Sequence, residues 1–241
     1  MLEPWRTGKV IGIENITSTT RRFFIQIPEI EVFDFIPGQF VTLDLPIHEK
    51  KNKRWRSYSI ASAPDGTNVF ELVIVLLEGG AGTTYLFNEI QVGSEIILRG
   101  PQGVFTLSSP IEKDQFFICT GTGIAPFRAM VHYIHRQNIP HKNLYLIFGC
   151  RKFADALYFD ELTALSKELP NFHYLPTFSR EEPQEGKLTG YVHKVYGQII
   201  GEHKPEADFF LCGWKNMIDE AKQKITELGY DRKAIHQEIY G

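Results

Sequence analysis

Gln115-Phe116-Phe117-Ile118-Cys119-Thr120-Gly121-Thr122-Gly123-Ile124-Ala125-Pro126-Phe127-Arg128 is the stretch on which the fold turns. It opens on an apolar run of strand length, passes through a glycine turn, and leads into a helical period with proline at its start. Proline suits the first turn of a helix, where its missing N–H costs nothing. Strand, glycine turn and helix in that order read as the first unit of an α/β sheet. The free N–H groups of such a helix start attract phosphate. A tight turn with no ligand would look much the same, so the pattern needs support from elsewhere in the chain.

Downstream, apolar runs alternate with helical periods. Runs at Leu144–Gly149, Phe172–Thr177, Asp208–Cys212 and Ile235–Ile239 read as further strands. Helices are expected at Ala125–Arg136, Phe159–Leu169, Val192–Ile200 and Lys215–Leu228, with Gly229 ending the last. Alternation of this kind implies a doubly wound parallel sheet. Upstream the texture is different. Short runs rich in Val, Ile, Phe and Thr lie at Lys9–Ile16, Arg21–Ile27, Gln39–Leu45, Ser57–Ser62, Phe70–Leu77 and Glu95–Arg99. Pro37-Gly38, Pro64-Asp65-Gly66 and Gly79-Gly80 break them. They read as an antiparallel six-stranded β-barrel with one short helix near Thr83–Asn88 covering an end. The boundary falls near residues 108–113, so residues 1–110 form the barrel domain and 111–241 the α/β domain.

Composition narrows the class. Of 241 residues, 43% are hydrophobic and 23% charged, the balance of a soluble globular chain. A net charge of −3 is not that of a nucleic-acid binder. No apolar run reaches the ~20 residues of a membrane span, and the start of the chain lacks the pattern of a secretory signal. Cys119, Cys150 and Cys212 are odd in number and far apart. They suit a reducing, cytoplasmic setting rather than a disulfide framework. Without a Cys-x-x-Cys pair they cannot hold zinc or an iron–sulfur cluster by themselves; no metal is expected.

Arg56-Ser57-Tyr58-Ser59-Ile60-Ala61-Ser62 carries the second set of chemical groups. On a strand, Arg56 and Tyr58 share a face and Ser59 points the other way. Arg56 can pair with a phosphate, Tyr58 can stack on a ring, and Ser59 can hydrogen-bond a ring nitrogen. Gly82-Thr83-Thr84 adds backbone donors at a helix start. Plain readings exist for every one of these: an edge strand, a capped turn, a core cysteine at 212, a solvated acid at 238 and a frayed aromatic at 240.

Taken in order, the motifs resemble those of the ferredoxin–NADP(+) reductase superfamily. Arg56–Ser62 is similar to its flavin motif and Gly121–Arg128 to its nicotinamide-nucleotide motif. Cys212-Gly213-Trp214-Lys215-Asn216-Met217 is similar to its Cys-Gly motif, and His236-Gln237-Glu238-Ile239-Tyr240 to its ending. The resemblance implies FAD and NADP(H) as cofactors. Arg56 would neutralise the flavin pyrophosphate, Tyr58 would pack on the isoalloxazine, Ser59 would sit near its N5, and Ile60 would be a further cofactor contact. Gly82, Thr83 and Thr84 would take the rest of the pyrophosphate, which favours FAD over FMN. Gly121, Thr122 and Gly123, with Gly213, would hold the nicotinamide nucleotide, and Cys212 would lie near its C4. Glu238 would polarise or relay protons, and Tyr240 would stack on the flavin. Ser59, Cys212, Glu238 and Tyr240 are thus the expected catalytic set.

NADPH is preferred over NADH here because Ser179 and Arg180, with Arg151, stand where a 2′-phosphate would lie; Lys187 and Tyr191 could close that site. Glu181, Glu182 and Glu185 flank Arg180 and would repel a phosphate if they faced it. The basic run His48–Arg56, which includes Trp55, would steer an acidic one-electron carrier such as ferredoxin or flavodoxin. Two other roles stay open: an NADH-dependent reductase component of an oxygenase or free flavin reductase, and a flavin-binding electron-transfer subunit without turnover of its own.

Overall fold

The computed structural model describes residues 3–183 and 185–240. Its first sheet is built from β1 (Trp5–Asn15), β2 (Thr20–Gln26), β3 (Phe40–Asp44), β4 (Trp55–Ser59), β5 (Val69–Val75) and β6 (Glu95–Gln102). Helix α1 (Ala81–Asn88) lies between β5 and β6 in the chain. The strands run antiparallel in the order β4-β3-β6-β1-β2-β5. The end strands do not close along a full ladder. They meet at a single bridge, Ile60 to Leu72, beside a hydrogen bond from Ala61 N to Glu71 O of 2.8 Å. The chain beyond Ser62 leaves the sheet at Pro64, which has no N–H to extend the pairing. Alternate residues of each strand point inward, among them Val41 and Leu43 of β3, Ile96 and Leu98 of β6, and Phe70, Leu72 and Ile74 of β5. Leu86 of α1 joins this core, so the helix covers one end of it as expected. Burial of each such side chain contributes roughly 1.5–3 kcal/mol.

β1 begins earlier than its sequence suggests, because Gly8 is part of the strand. A Cβ there would stand 2.6 Å from Leu98 Cδ2 and 2.7 Å from Ile25 Cγ2. This glycine makes room for neighbouring side chains instead of breaking the strand.

The second sheet is parallel throughout. It consists of β7 (Asp114–Thr120), β8 (Leu144–Cys150), β9 (Phe172–Phe178), the two-residue β10 (Leu188–Thr189), β11 (Ala207–Trp214) and β12 (Ile235–Tyr240). Between them run α2 (Ala125–Gln137), α3 (Phe159–Glu168), α4 (Val192–His203) and α5 (Lys215–Glu227). The order is β10-β9-β8-β7-β11-β12. Phe116, Ile118, Ile147, Phe209 and Leu211 face α4 and α5, which cover them with Val195, Tyr196, Ile218 and Ile225. The opposite face carries Phe117 against Phe210 and Tyr174 against Phe159 of α3. Helices therefore lie on both faces, as a doubly wound sheet requires. Residues through Leu107 together with Ala125–Tyr133 form one compact unit; Ser108–Ile124 and the residues from Ile134 onward form the other.

Two polar residues staple α4 to α5. His193 Nδ1 lies 2.8 Å from the Tyr196 hydroxyl, and its Nε2 lies 3.2 Å from Glu220 Oε2. Burial lowers the His193 pKa, Lys224 adds to that, and Glu220 opposes it. A group with a depressed folded pKa binds its proton more readily when unfolded, so stability falls as pH drops below the unfolded value of about 6.5. Thermal unfolding scans from pH 7.5 to 5 should show a loss of stability in the native chain that is shallower in His193→Gln.

Candidate functional site

In the first unit, folding brings Arg56 of β4 onto the start of α1. A Cβ on Gly82 would lie 3.0 Å from Arg56 Cγ and 3.2 Å from its Nε. The guanidinium is held by the carbonyls of Trp55, at 2.8 Å, and Lys53, at 3.1 Å. A cation thus sits over the first turn of a helix whose leading N–H groups have no partner within the helix. That pairing of a guanidinium with a helix start at Gly82 suits the pyrophosphate of FAD. The Thr83 hydroxyl accepts from Leu77 N at 3.0 Å and donates to Gly80 O at 3.1 Å, so it braces the turn that aims the helix. Thr84 is exposed, and its N–H already bonds Gly80 O at 2.9 Å. Tyr58 is half-buried, and burial pushes its phenol up to about 12 against the pull of Arg56. Ser59 is buried. The Ile60 side chain belongs to the core, and its N–H donates to Gln39 O at 3.0 Å.

In the second unit the chain leaves β7 at Gly121, whose φ of +55° is one that L side chains rarely adopt. A short 3₁₀ turn, Gly121–Ile124, then leads into α2, with Pro126 in the first turn. β7 lies between β8 and β11, so the ends of β7 and β11 flank the point where strand order reverses, the place where open α/β sheets bind ligands. The two turns there are in tight contact. A Cβ on Gly123 would be 2.4 Å from Cys212 O, and one on Gly213 (φ +139°) would be 2.6 Å from Thr120 Oγ1. Thr120 was not among the expected site residues; as the last residue of a strand it carried no distinguishing signal.

β12 supplies the rest. Its register with β11 pairs Glu238 with Cys212 and Tyr240 with Trp214. Cys212, Glu238 and Tyr240 therefore share one face of the sheet. Glu238 and Tyr240 are half-buried in an ordered strand. Cys212 is fully buried. Desolvation holds its thiol well above the usual range, the Glu238 charge adds to the effect, and a hydrogen bond with the Tyr240 hydroxyl opposes it. It is a neutral thiol rather than a nucleophilic thiolate.

The ends of β8 and β9 are joined by hydrogen bonds. Ser179 N and Oγ reach Cys150 O at 3.0 and 3.3 Å, and Arg180 N donates to Arg151 O at 2.9 Å. Both arginine side chains are exposed. Phe153 organises this corner, which its place in the sequence did not signal. Its N–H donates to Glu181 Oε1 at 2.9 Å, and Lys187 Nζ lies 4.6 Å from its ring centre. Tyr191 is exposed.

Elsewhere, Lys50, Lys51 and Lys53 of the basic run are exposed, whereas Arg54 is paired with Asp44 at 2.6 Å. Trp55 is 39% exposed and packs at a tilt against Trp5, their ring centres 5.6 Å apart. Among the described residues no group of His, Cys, Asp or Glu could hold a metal ion, and no helix is long and apolar enough to cross a membrane.

The glycines on the nucleotide side yield a contrast. Gly121→Ala meets no neighbour within 4 Å and should lose only the roughly 1–2 kcal/mol of the left-handed conformation. Gly123→Ala pushes against a backbone carbonyl and should cost more. Urea denaturation of the two variants measures the difference.

Comparison with known proteins identifies two domains along the chain. Residues 7–107 match the family described as oxidoreductase FAD-binding domain, and residues 117–223 match the oxidoreductase NAD-binding domain. A ferredoxin–NADP reductase B of Sorangium cellulosum is 33% identical over 99% of this chain and 98% of its own. The electron transfer component of an anthranilate 1,2-dioxygenase from Acinetobacter baylyi is 32% identical over 90% of this chain, which spans 62% of that protein. A ferredoxin NADP+ reductase from Neisseria gonorrhoeae, solved with FAD and NADP bound, superposes with a TM-score of 0.80 at 25% identity, over 98% of each chain. The chain therefore belongs to the ferredoxin–NADP(+) reductase superfamily, as an oxidoreductase with an FAD-binding and an NAD-binding domain.

Proposed function

We propose that this flavoenzyme exchanges hydride with NADP(H) and passes single electrons to or from a separate carrier of ferredoxin or flavodoxin type. The observation that carries the proposal is the β11–β12 register, which assembles Cys212, Glu238 and Tyr240 on one face beside the glycine turns. That assembly favours turnover over a passive flavin-binding role. Bound FAD supplies the exchange between electron pairs and single electrons. Arg56 and the first amides of α1 hold its phosphate charge. On the nucleotide side Cys212 offers an uncharged, polarizable surface, and the Glu238 carboxylate is the proton-exchanging group. Arg151, Ser179 and Arg180 receive the 2′-phosphate. The three cysteines of these 241 residues are fewer than the four a Cys₄ iron–sulfur cluster needs, which favours an acceptor supplied from beyond these residues or a small molecule. The exposed Lys50, Lys51 and Lys53 favour an acidic one. A reducing, cytoplasmic setting belongs to the same proposal, since Cys119, Cys150 and Cys212 are free thiols.

The dioxygenase component supports a second reading, in which the chain serves an oxygenase with NADH as donor. Purified protein should be yellow, and anaerobic NADPH should bleach its visible flavin band faster than NADH does. A colourless protein that takes up no flavin, or a flavin that neither nucleotide reduces, would sink the proposal; faster bleaching by NADH selects the second reading. Arg180→Ala should raise the KM for NADPH tenfold or more, the loss of one charge-assisted phosphate contact of roughly 1.5–3 kcal/mol. The KM for NADH should change less.

A further inference from the structure

Arg128 closes the stretch Gly121–Arg128, and its guanidinium reaches the end of the flavin motif. It is 9% exposed, and its Nη1 donates to Ala61 O at 2.8 Å and to Glu71 Oε2 at 3.1 Å. These contacts lie inside the first compact unit, which includes Ala125–Tyr133. Glu71 is 3% exposed and also receives the fork of Arg22, Nε to Oε1 at 2.8 Å and Nη2 to Oε2 at 2.7 Å. The Glu71 backbone grips the end of the flavin motif. Ala61 N donates to Glu71 O at 2.8 Å, and Glu71 N donates to Ser62 Oγ at 3.0 Å.

We propose that Arg128 is a positioning residue for the flavin site, acting through Glu71 and the Ala61 carbonyl. The location supports this. Residues 60–62 sit where the two end strands of the sheet meet at one bridge, so no continuous ladder fixes them. Ser59, Tyr58 and Arg56 lie immediately upstream on the same segment. Replacing a whole buried ion pair by apolar groups is often neutral, whereas removing one partner strands the other; without Arg128, Glu71 keeps the fork of Arg22. What a guanidinium does here that an apolar side chain cannot is hold a carbonyl and a carboxylate at fixed distance and angle. The cluster is balanced, because Arg22 also meets the exposed Glu14 at 3.0 Å.

The inference rests on FAD binding by this chain, and the test separates the two. Full-length apoprotein of the native chain, Arg128→Met, Arg128→Lys and Ser62→Ala is titrated with FAD by fluorescence, and each apoprotein is melted in parallel. Arg128→Met should weaken FAD binding tenfold or more, beyond what any fall in the melting temperature of its apoprotein accounts for. Arg128→Lys, which keeps the charge beside Glu71, should recover part of that affinity. Ser62→Ala removes the acceptor of Glu71 N without disturbing a buried charge; it should weaken FAD binding severalfold and keeps the test decisive if Arg128→Met does not fold. FAD affinity unchanged in every variant that folds overturns the proposal and leaves the flavoenzyme intact. So does a loss of affinity that merely follows the loss of melting temperature, with lysine no better than methionine. Failure of the native chain to bind FAD overturns both.

Discussion

The ends of β7 and β11 approach so closely that each turn beyond them has one position, 123 and 213, with no room for a side chain. Neighbouring strands pair Cys119 with Cys212, and the chain must leave both at once. With Cys212 O only 2.4 Å from where a Cβ on residue 123 would be, and Thr120 Oγ1 2.6 Å from one on residue 213, glycine is the residue both turns can use. The arrangement has two results. The amides after β7 are presented at the reversal of strand order, and β11 ends in a register that sets β12. Cys212, Glu238 and Tyr240 owe their common face to that register. The nucleotide side is therefore a by-product of backbone packing in a parallel sheet and needs no loop built for the purpose.

The flavin side is made differently. Arg56 comes from a strand and Gly82 from a helix, with β5 between them in the chain. They meet because the antiparallel sheet turns until its end strands touch and Leu86 of α1 is drawn into the core. Here a cation and a helix start converge on space left open by a missing Cβ. Thr83 steadies the turn, so that the positive end of the helix lies beside Arg56.

How much was legible depends on whether the signal was local. Strands of the parallel sheet are buried on both faces, so Phe116–Cys119, Leu144–Phe148 and Phe209–Cys212 read as continuous apolar runs. Helix α5 shows Ile218, Ala221 and Ile225 at helical spacing, and Gly229 stands just past its end with φ +90°. The strand β10 has two residues and no pattern to read. β1 was expected to start at Lys9, because a glycine that fits between Leu98 and Ile25 looks in sequence like one that breaks a strand. Motif order brought Arg56 together with Gly82, and Cys212 with Glu238 and Tyr240. It did not reveal that Phe153 N would take Glu181 or that Arg128 would turn to Ala61 and Glu71, since both depend on pairings made only once the chain is folded.

The buried thiols have a chemical consequence. Reduced flavin left in air passes electrons to dioxygen, and the product is peroxide. Peroxide oxidises thiolates far more readily than thiols. Desolvation keeps Cys119 and Cys212 protonated, and both are out of reach of solvent. The two sulfurs at the centre of this sheet are thus held in the form least open to oxidation by peroxide.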